Sequence, residues 1–437
     1  MKKTVVIGII CGLVLSGSLI YILYNDTSLR YNVGTLTGVK DKPQILDDNF
    51  LMDEVIVGIE SATALTFIEN NILFLEKESG KIRHIQNGML VDEPVWDFQV
   101  KQEGCNCFTE SGLLGIVSVG SDVYVYVTEE LNSDESNVEN RIYKFTWKDN
   151  KLQNPLLLNI LPADAIMHHG GTLVVDLDGN VFASVGDQML ETSIQNYDND
   201  IIADAGVILR VGYDQNFKSP SASPNPLDHY YAIGIRNSFG LAVDPKTGYL
   251  WDTENGPDVY DEINLVETKF NSGWAKIQGP SNGKSLPQLP NYEEYEYSEP
   301  EFSWELPVGV TAIEFPNSKN FKKYENFVFV ADVNNGYIYK FKLDDTRTKF
   351  VFESPHLQDN VLNIYRDSSD YLRHVEDATY LGDTGCLVSG FPCSAIEPMD
   401  EILFATNLGA ITDMKFGPDG ALYVISLMEG KIYRIAN

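Results

Sequence analysis

From Thr63 onward the chain repeats one pattern of apolar and polar positions. A short apolar run leads into a turn, then into a second run rich in β-branched and aromatic residues. A third run often comes next and ends like Ile-Tyr-Lys-Phe. The first copy is Thr63–Phe67, Ile72–Leu75 and Gly80–Ile85, and the second is Gly112–Val117, Val123–Val127 and Asn140–Phe145. The third is Gly171–Val175, Val181–Val185 and Gly206–Val211. The fourth lies in the stretch that begins at Tyr230; its first strand follows Arg236-Asn237, turns at Asp244–Gly248, and the copy closes with Asp261–Val266. The fifth is Val310–Phe315, Phe327–Val330 and Gly336–Phe341, and the sixth is Ile411–Phe416, Leu422–Ile425 and Gly430–Ile435. Each copy reads as a small antiparallel sheet that cannot bury both faces alone. Six such sheets packed face to face around an axis predict an all-β, six-bladed β-propeller with few open edges. Asp178-Gly179 and Asp419-Gly420 suit its tight hairpins. The longest insertions, Asp187–Ala205, Pro280–Trp304 and Asp344–Gly409, are expected to cover or to serve function. The acidic run Glu293–Glu301 reads as a solvated loop.

The pattern fails at the N-terminus. Thr4–Tyr24 is a continuous apolar run behind Lys2 and Lys3, close to the roughly 20 residues that span a bilayer. The lysines hold the N-terminus inside and orient the remainder of the chain outward. Ser16-Gly-Ser18 is a weak cleavage site, which favours an uncleaved transmembrane anchor over a cleaved signal. The expected organisation is an anchor or signal segment at 1–25, a polar tether at 26–48 and the propeller at 49–437. This places the propeller outside the cytoplasm, held at the cell membrane, with secretion as the alternative.

Composition narrows the classes. A formal charge of −31 over 437 residues repels nucleic acid and anionic lipid. Cys105, Cys107, Cys386 and Cys393 form an even set, consistent with disulfides in an exported domain. Their pairing is open. A metal at Cys105-Asn-Cys107 is disfavoured, because no neighbouring His or paired Cys completes it.

Three segments put polar groups at the ends of apolar strands: Met167–Gly171, Gly186–Gln188 and Arg236-Asn237. In a propeller, residues just before inner strands converge at one mouth of the channel. His168 and Arg236 hold such positions, and Asp187 returns to the same end. A carboxylate behind an imidazole fixes its tautomer and supports a general base.

Here the chain resembles the glucose/sorbosone dehydrogenase family. Glu110–Gly115, His168–Leu173, Val185–Gln188, Gly234–Asn237, Asn255–Pro257, Asp261–Leu265 and Asn271–Trp274 carry the resemblance, in order, between Ala62 and Ile435. It implies a six-bladed propeller that holds pyrroloquinoline quinone (PQQ) and Ca²⁺ and oxidises an aldose sugar or related alcohol. By resemblance His168 takes the hydroxyl proton and Asp187 orients it. Arg236 polarises the quinone, Asn237 helps position it, Glu110 faces substrate, and the carbonyls of Gly256 and Pro257 ligate Ca²⁺. The chain departs where glucose-oxidising members place a Lys and two Arg against the cofactor carboxylates. Asn334, Ala410 and Thr412 stand there instead. Lys319 or Lys322 are candidate replacements. The expectation is therefore an outward-facing, PQQ- and Ca²⁺-dependent dehydrogenase with an unassigned electron acceptor. The alternative is a cofactor-less propeller that binds a partner.

Overall fold

The computed structural model describes residues 42–100, 109–131, 138–163, 165–190, 196, 204–212, 229–281, 285–287, 289, 295–362 and 396–437. The apolar N-terminal segment and all five cysteines lie outside this set. Among the described residues no helix is long and apolar enough to cross a membrane.

The strands form six sheets, and the molecule is an all-β propeller. Each sheet begins with an inner strand: Ala62–Ile68, Leu113–Val119, Leu173–Val175, Ser238–Val243, Val310–Glu314 and Ile411–Phe416. Each inner strand packs beside the next, and the last packs beside the first. Hydroxyls stitch this ring. Thr63, Thr172, Thr311 and Thr412 each donate to a backbone carbonyl on the adjoining inner strand, at Leu113, Phe239, Ile411 and Ala62. A short β-branched residue can reach sideways without leaving its rotamer, and a buried hydroxyl requires such a partner.

Glycine permits the closest approach between sheets. A Cβ at Gly115 would run into the Gly171 carbonyl oxygen of the next inner strand.

Between sheets the core is aromatic. Trp251, Phe302, Trp304, Tyr339 and Phe341 fill one interface, and Phe50, Phe321, Phe329 and Phe404 fill another. Such rings each bury about 150–250 Å², which explains the chain's preference for Tyr and Phe.

Two boundaries differ from the sequence reading. Tyr230–Ile233 belongs to the third sheet, pairing with Val207–Arg210, and not to the fourth. Gly234, at φ 69°, turns the backbone out of that strand before Ser238 starts the next inner one. Residues 44–48, assigned by composition to the tether, are part of the fold. Gln44–Ile45 pairs with Leu403–Thr406, and the Asp47 carboxylate accepts from Lys323 and Tyr324 at 2.7 Å each. The sixth sheet is completed from the other end of the chain, because Leu51–Val57 pairs antiparallel with Lys431–Ala436. In the acidic run, Glu296–Tyr297 adds a short parallel strand beside Phe270–Asn271.

Candidate active site

One cavity of about 300 Å³ opens at the end of the ring where the inner strands begin. His168, Arg236, Asn237, Glu110, Gly256 and Pro257 all line it. Asp187 stands behind His168 and is fully buried. The structure therefore brings the residues proposed from the sequence to one mouth.

His168 precedes the third inner strand in a left-handed conformation, φ 62°. A non-glycine residue held there is strained and needs its surroundings to fix it. Its N–H donates to Glu110 Oε2 at 2.6 Å, and its carbonyl accepts from Gln188 Nε2 at 2.8 Å. Gly186 passes beneath, where any Cβ would collide with that carbonyl.

The imidazole has two partners. Nδ1 lies 2.6 Å from Asp187 Oδ1, and Nε2 lies 3.1 Å from Arg236 Nη2. A guanidinium can only donate. Nε2 is therefore the acceptor, and the ring proton sits on Nδ1, facing Asp187. The lone pair on Nε2 faces Arg236, and both residues line the cavity. Asp187 also accepts from the Met189 N–H at 2.8 Å and, through Oδ2, from Trp274 Nε1 at 2.7 Å. Three donors hold the carboxylate still.

Arg236 is anchored from several directions. Nη1 donates to the Asn255 carbonyl at 2.8 Å, and the guanidinium stacks 5.3 Å from the centre of the Trp274 ring. Its backbone N–H donates to Glu254 Oε1 at 2.7 Å. Burial pushes the Glu254 carboxyl up to about 7, against the bonds from Arg236 and Ser272. Asp252 and Glu262 nearby are also pushed upward, first by burial and then by repulsion from Glu254. Arg236 Nε is buried without a partner.

Asn237 spends both ends of its amide on the protein. Nδ2 donates to Glu110 Oε2 at 3.1 Å, and Oδ1 accepts from the Gly170 N–H at 3.2 Å. Its contribution is to hold Glu110 and the glycine turn after His168. The Asn255–Pro257 loop is tied by the Gly256 N–H to Asp261 Oδ1 at 3.0 Å. The other Asp261 oxygen collects the N–H groups of Val308, Gly309 and Val310. Burial still raises this carboxyl to about 6.

The histidine pair divides its labour. His169 is fully buried, its Nε2 3.0 Å from the Ala165 carbonyl and its Nδ1 beside Asn140. Burial depresses it to about 4, so it stays neutral and structural.

The replacement cations suggested from sequence are elsewhere. Lys319 and Lys322 are exposed on the 3₁₀ turn Lys319–Tyr324, between the first two strands of the fifth sheet. That connection lies at the opposite end of the inner strand. The lysines that do line the cavity are Lys77 and Lys415, which sequence reasoning passed over. Lys415 was legible in principle, because a charge on an inner strand must face the central channel. Trp274 was seen only as part of a motif. Asn334 and Thr412 also line the cavity, and Ala410 is buried. Among the described residues no group of three His, Cys, Asp or Glu is poised for a metal.

Comparison with known proteins assigns the class. The family model described as glucose/sorbosone dehydrogenase matches residues 59–377, and the chain belongs to that family. Among curated relatives it is 27% identical over 260 residues to quinoprotein glucose dehydrogenase B of Acinetobacter calcoaceticus, covering 53% of this chain and 54% of that protein. It is 28% identical over 171 residues to aldose sugar dehydrogenase YliI of Escherichia coli K12, covering 38% and 44%. The chain thus spans about half the length of these two relatives. The fold is shared with the apo form of the soluble Escherichia coli aldose sugar dehydrogenase, with TM-score 0.60, 19% identity, and 89% and 99% of the two chains covered. It is shared also with the PQQ-bound aldose sugar dehydrogenase of Streptomyces coelicolor, with TM-score 0.59, 18% identity, and 90% and 98% covered.

Proposed function

We propose that this protein is a quinone-dependent dehydrogenase of an aldose sugar or related alcohol, with PQQ as cofactor. The observation that carries the reading is the Asp187–His168–Arg236 relay at the mouth of the cavity. The residues fit such a group. Arg236 offers a buried, unpartnered Nε, and three cations line the wall among the described residues. We read the six sheets as six blades. The carbonyls of Gly256 and Pro257 are the proposed calcium ligands, since Ca²⁺ takes neutral oxygen donors. Membrane anchoring and an outward-facing propeller remain part of the proposal, resting on the N-terminal apolar run.

When bound, PQQ supplies the two-electron acceptor for the hydride of the substrate C–H bond. The protein handles the proton. The sugar hydroxyl displaces Arg236 from His168 Nε2 and gives its proton to that lone pair. Asp187 then faces an imidazolium and stabilises it, while Trp274 keeps the carboxylate aligned. Arg236 remains beside the reacting atoms as a fixed positive charge, where preorganised charge counts most. Glu110, held by Asn237 and the His168 N–H, borders the space left for substrate.

The test is to titrate the purified protein with PQQ and Ca²⁺ and to follow dye reduction with a panel of aldoses. Saturable binding and sugar-dependent turnover support the reading. Neither, under conditions where a relative turns over, removes it and leaves the cofactor-less binding propeller.

A further inference from the structure

PQQ carries three carboxylates, and a buried carboxylate needs a cation or several donors. The positions expected to supply cations hold Asn334, Ala410 and Thr412. Thr412 has also spent its hydroxyl on the Ala62 carbonyl. The cavity-lining cations among the described residues are Arg236, Lys77 and Lys415. Arg236 spends Nη2 on His168 and Nη1 on Asn255, keeping only Nε, and Lys77 Nζ donates to the Thr109 carbonyl at 2.8 Å.

Lys415 differs from both. It lies on the sixth inner strand, whose pairing slips between Ile411 and Asp413. Such a bulge sets two residues against one and re-aims the side chains beyond it. Thr412, Asp413 and Lys415 consequently all line the cavity, while Ile411 and Met414 enter the core. Lys415 Nζ stands 3.4 Å from Glu314 Oε2 and 3.5 Å from Asp413 Oδ1. Both contacts are long beside the roughly 2.7–2.9 Å of a close ammonium–carboxylate bond. An ammonium has three donors, and neither acidic neighbour holds this one closely.

We propose that Lys415 is the cation that grips a carboxylate of the quinone cofactor, in place of the charges missing at Asn334, Ala410 and Thr412. The charge has moved along the strand and deeper into the channel. Glu314 and Asp413 hold the ammonium ionised until the ligand arrives, and Glu314 competes with the ligand for it. This inference rests on the PQQ reading above.

Direct titration of the calcium-loaded protein with PQQ, without sugar, tests it by calorimetry. Lys415→Met should weaken PQQ binding about tenfold or more, and Lys415→Arg should stay within a few-fold of the parent. Glu314→Gln should bind more tightly. The trimethyl ester of PQQ, which lacks the carboxylate charges, should bind the parent and Lys415→Met equally. The double variant Lys415→Met/Glu314→Gln leaves one fewer carboxylate unpaired and should show the same loss, with a melting temperature near that of the parent. If the parent binds PQQ and both lysine-to-methionine variants bind it equally well, the assignment of Lys415 is overturned and the function stands. If the parent binds no PQQ, the functional reading falls, and this proposal with it.

Discussion

At the scale of single residues the candidate site is a chain of contacts, Asp187–His168–Arg236, with the imidazole tautomer set by geometry. Replacing His168 by Ala removes the only imidazole facing the cavity among the described residues. Sugar-dependent turnover should fall about 10²–10⁴-fold while the melting curve stays cooperative. Steady-state dye reduction measures this, and unchanged turnover would dismiss His168 as the base. Trp274→Phe takes the donor from Asp187 Oδ2 and the ring edge from the Arg236 stack. A buried carboxylate that loses one bond costs about 1–3 kcal/mol, readable by urea unfolding. The convergence of His168, Asp187 and Arg236 was legible, because they sit where strand ends must meet. The division between His168 and His169 was not. Two adjacent histidines look alike in a string, and only burial beside Asn140 shows that His169 is structural.

At the scale of elements, inner strands carry the site and their spacing carries the inner strands. Gly115→Ala places a methyl against the Gly171 carbonyl, close behind His168. The expected outcome is a loss of about 1–3 kcal/mol in chemical denaturation, with turnover reduced as the His168 turn is displaced. Phe50→Ala empties a pocket among Phe321, Tyr324 and Phe404, and should cost about 3–5 kcal/mol. A cost near zero would show that the N-terminal strands contribute little to closure. In all six repeats the three strands of the pattern were correctly grouped, since alternation and turn chemistry are local. Tyr230–Ile233 was misplaced because nothing in its apolar run says which neighbour it joins, and the turn at Gly234 decides that. The Leu51–Val57 pairing was missed for the opposite reason. Its partner Lys431–Ala436 lies at the far end of the chain, beyond any local pattern.

At the scale of the whole molecule, charge and burial act together. Glu254 and Glu301 are both raised to about 7 by burial, from an ordinary value near 4.5. A carboxyl whose folded value lies above its unfolded one stabilises the fold fully below about 4.5, and that contribution is gone above about 7. The formal charge of −31 adds self-repulsion in the same direction. Melting temperature at fixed ionic strength should therefore be higher at pH 6 than at pH 8. Added salt should narrow the gap by screening the surface part. A flat or inverted profile would mean that these carboxyls are ionised at little cost. The sheet built from both ends of the chain has a temporal consequence. While the polypeptide leaves the ribosome, Leu51–Val57 emerges long before its mate Lys431–Ala436. The ring stays open until Lys431–Ala436 has been made, so a product terminated before that strand presents a bare seam to the cell's quality-control machinery.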